Sequence, residues 1–156
     1  MIKKNFWNFF LIVVFFSIDR LSKIAIINSF EKHGNNDIFL TEFLSLSLIW
    51  NDGIAFGLFS FDQKVYYNLV TALIIFITLI IFWMVLSTKS YEKLAFTMVL
   101  GGSLGNIFDR IYYSSVPDFI DIHFKNFHWF IFNVADIFIT LGVILLIYLE
   151  IFKKKV

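Results

Sequence analysis

Acidic and amide side chains recur in this chain where the surrounding sequence is strongly apolar. Asn106, Asp109 and Arg110 follow the spacing i, i+3, i+4, which predicts that they project from one face of a helix. Asn133 and Asp136 are three residues apart, so their side chains should point to the same region. An ionisable group inside a membrane costs at least about 2.5 kcal/mol by insertion scales, and each one is therefore a candidate for function.

Carboxylates are the catalytic groups that remain when the other chemistries are considered. The chain has no cysteine, which excludes a thiolate nucleophile and a cysteine-bound metal. The three histidines, His33, His123 and His128, lie in outer loops without the spacing of a zinc site. Ser103 has no histidine or lysine placed to activate it. Two carboxylates held close together cannot both ionise easily, so one can hold a proton while the other acts as a base toward water.

A different class of protein uses the same groups. Aspartates inside a membrane also form the proton relays of transporters, so a small proton-coupled transporter or an interaction subunit is the alternative to an enzyme. The absence of an internal repeat and the clustering of polar residues at one end of the spans both speak against a transport pathway. The energetic cost of charges in a membrane and the spacing of these residues do not by themselves decide between an enzyme and a transporter.

The elements that carry these residues are predicted to be membrane-spanning helices. Of the 156 residues, 59% are hydrophobic and only 16% are charged, whereas about a quarter of a soluble domain is charged. A helix needs about twenty residues to cross the hydrocarbon layer. Four segments qualify: Phe6 to Ile27, Tyr66 to Leu86, Leu94 to Tyr112 and Trp129 to Phe152. The formal net charge of +1 does not suggest a nucleic-acid partner.

The charges outside the spans predict their orientation. Lysines lie near the N-terminus, after the second span and at the C-terminus, whereas the other two loops carry more acidic than basic residues. By the positive-inside rule both termini are cytoplasmic, and the polar ends of the spans face outward. Asp19 and Lys23 in span one have the spacing of a helical ion pair. The alternative for them is an interfacial pair whose lysine extends to the membrane surface.

The first outer loop, Asn28 to Lys64, is predicted to contain a small sheet. From Leu44 to Trp50, Leu44, Leu46, Leu48 and Trp50 alternate with Ser45, Ser47 and Ile49, which is an imperfect form of the two-residue period of a strand. Asn51, Asp52 and Gly53 are turn residues, and Ile54 to Phe59 could return as a second strand. The expected fold is thus an all-α polytopic membrane protein of a single domain, residues 1–156. It has four transmembrane helices and a small extracytoplasmic β-sheet in the first outer loop.

Two segments in and just after span three can also be explained by structure alone. Gly101, Gly102 and Gly105 remove side-chain bulk and would let another helix approach closely. Pro117 makes regular helix unlikely to continue into the segment that holds Asp118, so this aspartate is expected in a loop near the interface. An exposed loop aspartate without a catalytic role is the simplest interpretation of that segment alone.

Five blocks taken together resemble the lipoprotein signal peptidase (signal peptidase II) family. They are DRLSK at Asp19 to Lys23, NDGIAFG at Asn51 to Gly57, GGSLGNIFDR at Gly101 to Arg110, VPDFID at Val116 to Asp121 and FNVAD at Phe132 to Asp136. The resemblance runs from span one through span four, in the same order and topology. Pro117 departs from the commonest pattern, in which a valine-like residue precedes the catalytic aspartate.

The resemblance implies a monomeric aspartic endopeptidase of the bacterial inner membrane, with its active site toward the outer leaflet. It would remove signal peptides from diacylglyceryl-modified prolipoproteins, cutting before the lipidated cysteine, without metal or cofactor, and would be inhibited by globomycin-type compounds. Asp118 and Asp136 match the family's catalytic pair. Asp109, with Arg110 expected to hold it ionised, is assigned to support. The matching supporting positions are Asp19, Lys23, Asn51, Gly53, Asn106, Asp109, Arg110 and Asn133.

Overall fold

Four helices and four strands make up the computed structural model, which describes residues 2–34, 36–52, 63–89, 91–125 and 127–152. In chain order the elements are α1 (Ile2–His33), β1 (Ile38–Thr41), β2 (Leu44–Asn51), α2 (Gln63–Ser87), α3 (Glu92–Tyr112), β3 (Val116–Phe124), β4 (Phe127–Phe132) and α4 (Val134–Ile151). The second strand predicted at Ile54 to Phe59, and the supporting residue Gly53, lie outside the described residues.

Each of the four predicted apolar segments contains a helix. Two of these helices, Lys64–Ser87 and Val134–Ile151, are long and apolar enough to cross a membrane by length and composition among the described residues. The predicted start of the fourth span at Trp129 is wrong, because the helix begins at Val134 and Trp129 belongs to β4. Asn133 stops the strand and starts the helix, since its backbone is extended and its side chain caps the first turn.

Helix α3 lies against all three of the other helices, and small residues allow the close approach. A Cβ atom built on Gly101 would lie 2.7 Å from the Cβ of Phe15 in α1. One built on Gly142 of α4 would lie 2.8 Å from the carbonyl oxygen of Ala95 in α3. Neither position can take a side chain without separating the helices, so the predicted packing role of the α3 glycines is confirmed.

The strands form one antiparallel sheet in the order β1-β2-β3-β4. The strand predicted from the leucine and serine alternation is β2. The expectation that the sheet is confined to the first outer loop is wrong, because β3 and β4 come from the segment between α3 and α4. The predicted loop around Asp118 is the start of β3, where Pro117 is tolerated because a proline near the first residue of a strand breaks little of the ladder.

Candidate active site

Asp118 and Asp136 are brought together by the sheet and the start of α4. Asp118 lies in β3, paired in register with Ile49 of β2, and is only 5% exposed. The interpretation of Asp118 as an exposed loop residue is therefore wrong. Asp136 is the third residue of α4, and its carboxylate accepts a hydrogen bond from the backbone N–H of Asn133 at 3.1 Å.

Asn133 connects the two carboxylates. Its side-chain oxygen accepts from the backbone N–H of Asp136 at 3.1 Å, which completes a capping box at the start of α4. Its side-chain nitrogen donates to Oδ1 of Asp118 at 2.6 Å. One residue therefore fixes the first turn of the helix that carries Asp136 and also orients Asp118, which is why its spacing from Asp136 matters.

A second amide holds the other oxygen of Asp118. The side-chain nitrogen of Asn51, the last residue of β2, donates to Oδ2 of Asp118 at 2.9 Å. Burial raises the pKa of the Asp118 carboxyl above its usual range, and the nearby charge of Asp136 acts in the same direction. The hydrogen bonds from Asn51 and Asn133 and the charge of Lys23 oppose this rise without overcoming it.

Asn106 links Asp136 to a set of buried charges. Its side-chain nitrogen donates to Oδ1 of Asp136 at 2.9 Å, and its oxygen accepts from the ammonium group of Lys23 at 2.8 Å. Because a lysine can only donate and an aspartate carboxylate only accepts, the amide of Asn106 suits both neighbours at once.

Lys23 is the centre of the buried charges. Its ammonium group donates to Asp19 at 2.9 Å and to Asp109 at 2.6 Å, and all three side chains are fully buried. The predicted ion pair of Asp19 and Lys23 is thus confirmed, and the alternative of a lysine extending to the surface is wrong. The second oxygen of Asp19 accepts from the backbone N–H of Ala135 at 2.8 Å, which joins α1 to the first turn of α4.

Arg20 is a member of this group that the sequence reasoning missed. It forms an ion pair with Asp109 and lies over the ring of Phe108, 4.5 Å from its centre. The sequence did contain a signal for this role: Arg20 follows Asp19 directly within an apolar helix, and an arginine in such a helix needs a charged partner. Arg20 and Lys23, rather than Arg110, are therefore the cations paired with Asp109.

Arg110 points elsewhere. The common face predicted from the spacing holds for Asn106 and Asp109, which both contact Lys23, but Arg110 lies over the ring of Tyr67 in α2. Consecutive helical residues do not face the same way, which explains the difference. The guanidinium borders an open pocket of about 490 Å³, and its Nε and one terminal nitrogen have no hydrogen-bond partner within the described ranges.

The arrangement has two carboxylates with amide partners, next to the buried ion pairs that Lys23 and Arg20 form with Asp19 and Asp109. Such a pair can activate water, because one carboxyl can hold a proton while the other accepts one. No metal or organic group is required by this chemistry.

Comparison with known proteins gives a consistent result. The sequence pattern of the family described as signal peptidase (SPase) II matches residues 11–152. A lipoprotein signal peptidase of Pelagibacter ubique (strain HTCC1062) is 51% identical over 150 residues, 96% of this chain and 90% of that protein. One of Anaplasma phagocytophilum (strain HZ) is 34% identical over 156 residues, 98% of this chain and 97% of that protein. A solved bacterial membrane enzyme is similar with a TM-score of 0.75 and 25% identity, covering 95% of this chain and 94% of the other.

Proposed function

The chain belongs to the signal peptidase II family and is a protease of lipoprotein processing, and we propose that it uses Asp118 and Asp136 to cleave lipid-modified prolipoproteins. The bond cut is the one on the N-terminal side of the diacylglyceryl cysteine. The single observation that carries this assignment is the bridge through Asn133, which ties both carboxylates to one residue. The aspartates Asp19 and Asp109, by contrast, are occupied by cations.

The two carboxyls are proposed to have different tasks. Burial, which raises the pKa of Asp118, favours its protonated form as the acid. Asp136 lies in the first turn of α4, where the helix dipole favours a negative charge, and it is suited to act as the base. In the attack step Asp136 takes a proton from water, the oxygen of that water bonds to the scissile carbonyl carbon, and Asp118 gives its proton to the carbonyl oxygen.

Collapse of the tetrahedral intermediate returns both groups to their starting states. The hydroxyl formed from the carbonyl gives its proton back to Asp118, the bond from carbon to nitrogen breaks, and Asp136 gives its proton to the leaving amine. The products are a signal peptide with a new carboxyl terminus and a lipoprotein with a free amine on its lipidated cysteine. Water is the only co-reactant.

All four helices are proposed to span the bacterial inner membrane, with both termini in the cytoplasm and the sheet on the outer leaflet. Large apolar side chains are exposed on each helix, for example Phe9, Leu73, Leu104 and Ile144. Helices α1 and α3 contain charged residues, but the charges of Asp19, Lys23 and Asp109 are paired inside the bundle. Their pairing lowers the cost that the charges would otherwise impose on insertion.

The supporting residues have three roles under this proposal. Asn51, Asn106 and Asn133 orient the catalytic carboxylates, whereas Asp19, Arg20, Lys23 and Asp109 hold α1 and α3 against the start of α4. Arg110, at the open pocket, is placed to contact substrate. The chain is proposed to act as a monomeric single domain, with the substrate's signal helix entering from the side through lipid.

The test is cleavage by the purified protein in detergent. One precursor carries the diacylglyceryl cysteine, and a matched precursor has the same sequence without lipid. We expect cleavage of the lipidated precursor alone, at the bond before the cysteine as read by mass spectrometry, and inhibition by globomycin. Equal cleavage of both precursors would exclude the lipid requirement. Failure to cleave either precursor, alongside an active family member under the same conditions, would exclude the proposed function.

A further inference from the structure

Three side chains meet on the β3–β4 hairpin away from the two catalytic aspartates. Asp121 and His123 lie in β3, and His128 lies in β4 directly opposite His123 in the register of the sheet. One possible ligand atom from each side chain lies within 4.8 Å of those from the other two. The expectation that the histidines lie in loops is wrong for this pair, because His123 and His128 are opposite each other on two paired strands.

The distances suit a small cation. Nδ1 of His128 forms a hydrogen bond with Oδ2 of Asp121 at 2.7 Å, which a bound ion would replace, and Nδ1 of His123 lies 3.5 Å from the same oxygen. Ligand atoms around tetrahedral zinc are about 3.3 Å apart, given metal bonds of about 2.0 to 2.1 Å. The two histidine rings lie 5.2 Å apart at their centres, with 30° between their planes.

Two buried polar atoms in the group have no partner. Asp121 is 2% exposed and His123 is 9% exposed, yet Oδ1 of Asp121 and Nδ1 of His123 make no hydrogen bond in the described part of the chain. Buried polar groups are rarely left without a partner, and a bound ion is one established way to satisfy them. Both atoms are of the kinds, carboxylate oxygen and imidazole nitrogen, that bind zinc.

The residues around Asp121, His123 and His128 resemble the outer partners of metal ligands. Ser45 of β2 donates a hydrogen bond to Oδ2 of Asp121 at 3.1 Å, which fixes the carboxylate as outer partners of metal ligands do. The ring of Phe39 meets that of His123 edge to face. The side chain of His128 is 57% exposed, so the ion could enter from solvent and keep a water molecule as its fourth ligand.

We infer that Asp121, His123 and His128 bind one divalent transition metal ion of the zinc class, which clamps β3 to β4. Two imidazoles and a carboxylate suit zinc, copper or nickel better than magnesium or calcium, which prefer oxygen ligands alone. The ion lies outside the catalytic pair and takes no part in the proposed cleavage. Metal affinity can therefore be measured whether or not the chain cleaves a prolipoprotein.

The test is a titration of the metal-free, detergent-purified full chain, prepared with an affinity tag that contains no histidine, with Zn²⁺ alone against a competing fluorescent chelator. The variants are His123→Phe, which keeps an aromatic ring beside Phe39, and His128→Gln at the exposed position. The matched control is His33→Gln at the end of α1. We expect one zinc per chain in the wild type and the control, and at least about tenfold weaker binding in both hairpin variants.

Two further readouts separate a metal site from a structural role of the histidines. Zn²⁺ should raise the thermal midpoint of the wild type and the control but not of the hairpin variants, because only a bound ion stabilises the folded state by mass action. Co²⁺ should give the visible absorption of a tetrahedral site with the wild type but not with the His128→Gln variant. Equal zinc affinity in the wild type and a folded His128→Gln variant would overturn the inference.

Discussion

The buried aspartates fall into two groups that differ in the hydrogen-bond partners of their carboxylates. Asp19 and Asp109 are fully buried and bonded to Lys23, with Arg20 as a second cation on Asp109. Asp118 is nearly as buried, but its hydrogen bonds come from the neutral amides of Asn51 and Asn133. A cation holds a carboxylate in its charged form, whereas an amide lets the carboxyl gain and lose a proton.

Burial alone therefore does not identify a reactive carboxyl. In the cation-paired group, Lys23 of α1 forms an ion pair with Asp109 of α3, and Asp19 of α1 accepts a hydrogen bond from Ala135 of α4. These contacts join three helices, so this group is suited to stabilise the fold. The amide-paired group keeps the capacity to exchange protons and is suited to chemistry. Substitutions in the amide-paired group should therefore reduce activity, whereas substitutions in the cation-paired group should reduce stability.

The largest effect is expected from Asp118→Asn and Asp136→Asn. Each removes a proton donor or acceptor with little change in shape, so cleavage of a lipidated precursor should fall about ten-thousandfold, equivalent to about 5.4 kcal/mol in the barrier. The thermal midpoint should change little. The control is Asp37→Asn on the exposed approach to β1, which should keep wild-type activity. A dyad variant that cleaves at the wild-type rate would refute the catalytic assignment.

Lys23→Met should lower stability more than activity, the reverse of the dyad variants. The substitution leaves Asp19 and Asp109 buried without their shared cation, and breaking a buried ion pair by removing one partner typically costs about 3–5 kcal/mol of unfolding free energy. We expect a large fall in the thermal midpoint in detergent. The protein that stays folded should lose far less activity than the dyad variants, because Lys23 reaches the catalytic pair only through Asn106 and through its charge. Lys32→Met, at an exposed site on the same helix, is the control. An equally stable Lys23→Met protein would mean that the cation-paired group does not hold the fold.

Gly105→Ala should have a smaller effect on the same group. A Cβ atom at this position would collide with the carboxylate of Asp19 and disturb its hydrogen bond to Ala135. Overpacking a close contact costs about 1–3 kcal/mol, which unfolding in denaturant would report. Leu104→Ala, at the neighbouring exposed position, should cost less. If the two variants are equally stable, the contact of α3 with Asp19 is looser than the structure indicates.

Much of the helical part of the fold could be predicted from the sequence, because long apolar runs and helical spacing are local signals. The ion pair of Asp19 and Lys23 was also predictable, since both residues lie on one helix. Strands β3 and β4 were not, because Pro117 obscures the start of the first and the pairing with β2 depends on residues far apart in the chain. The partners of Asp109 were missed for the same reason, since Arg20 and Lys23 lie about ninety residues away.

The smallest effect expected concerns the pH dependence of cleavage. Burial raises the pKa of Asp118, and the hydrogen bond from Asn51 opposes that rise. Removing the bond with Asn51→Ala should raise this pKa further, because the hydrogen bond stabilises the charged form of the carboxyl. If Asp118 is the acid, cleavage declines as it ionises, so the alkaline limb of the profile should move to higher pH.

The direction of that movement tests which aspartate holds the proton. Were Asp118 the base, the same rise in its pKa would move the acid limb upward and leave the alkaline limb in place, because a base must be ionised before it can act. Asn28→Ala, at an exposed position near the end of α1, should move neither limb. Asn51 donates to Asp118, and the two carboxyls titrate as a coupled pair, so the limb that moves further reports the role of Asp118.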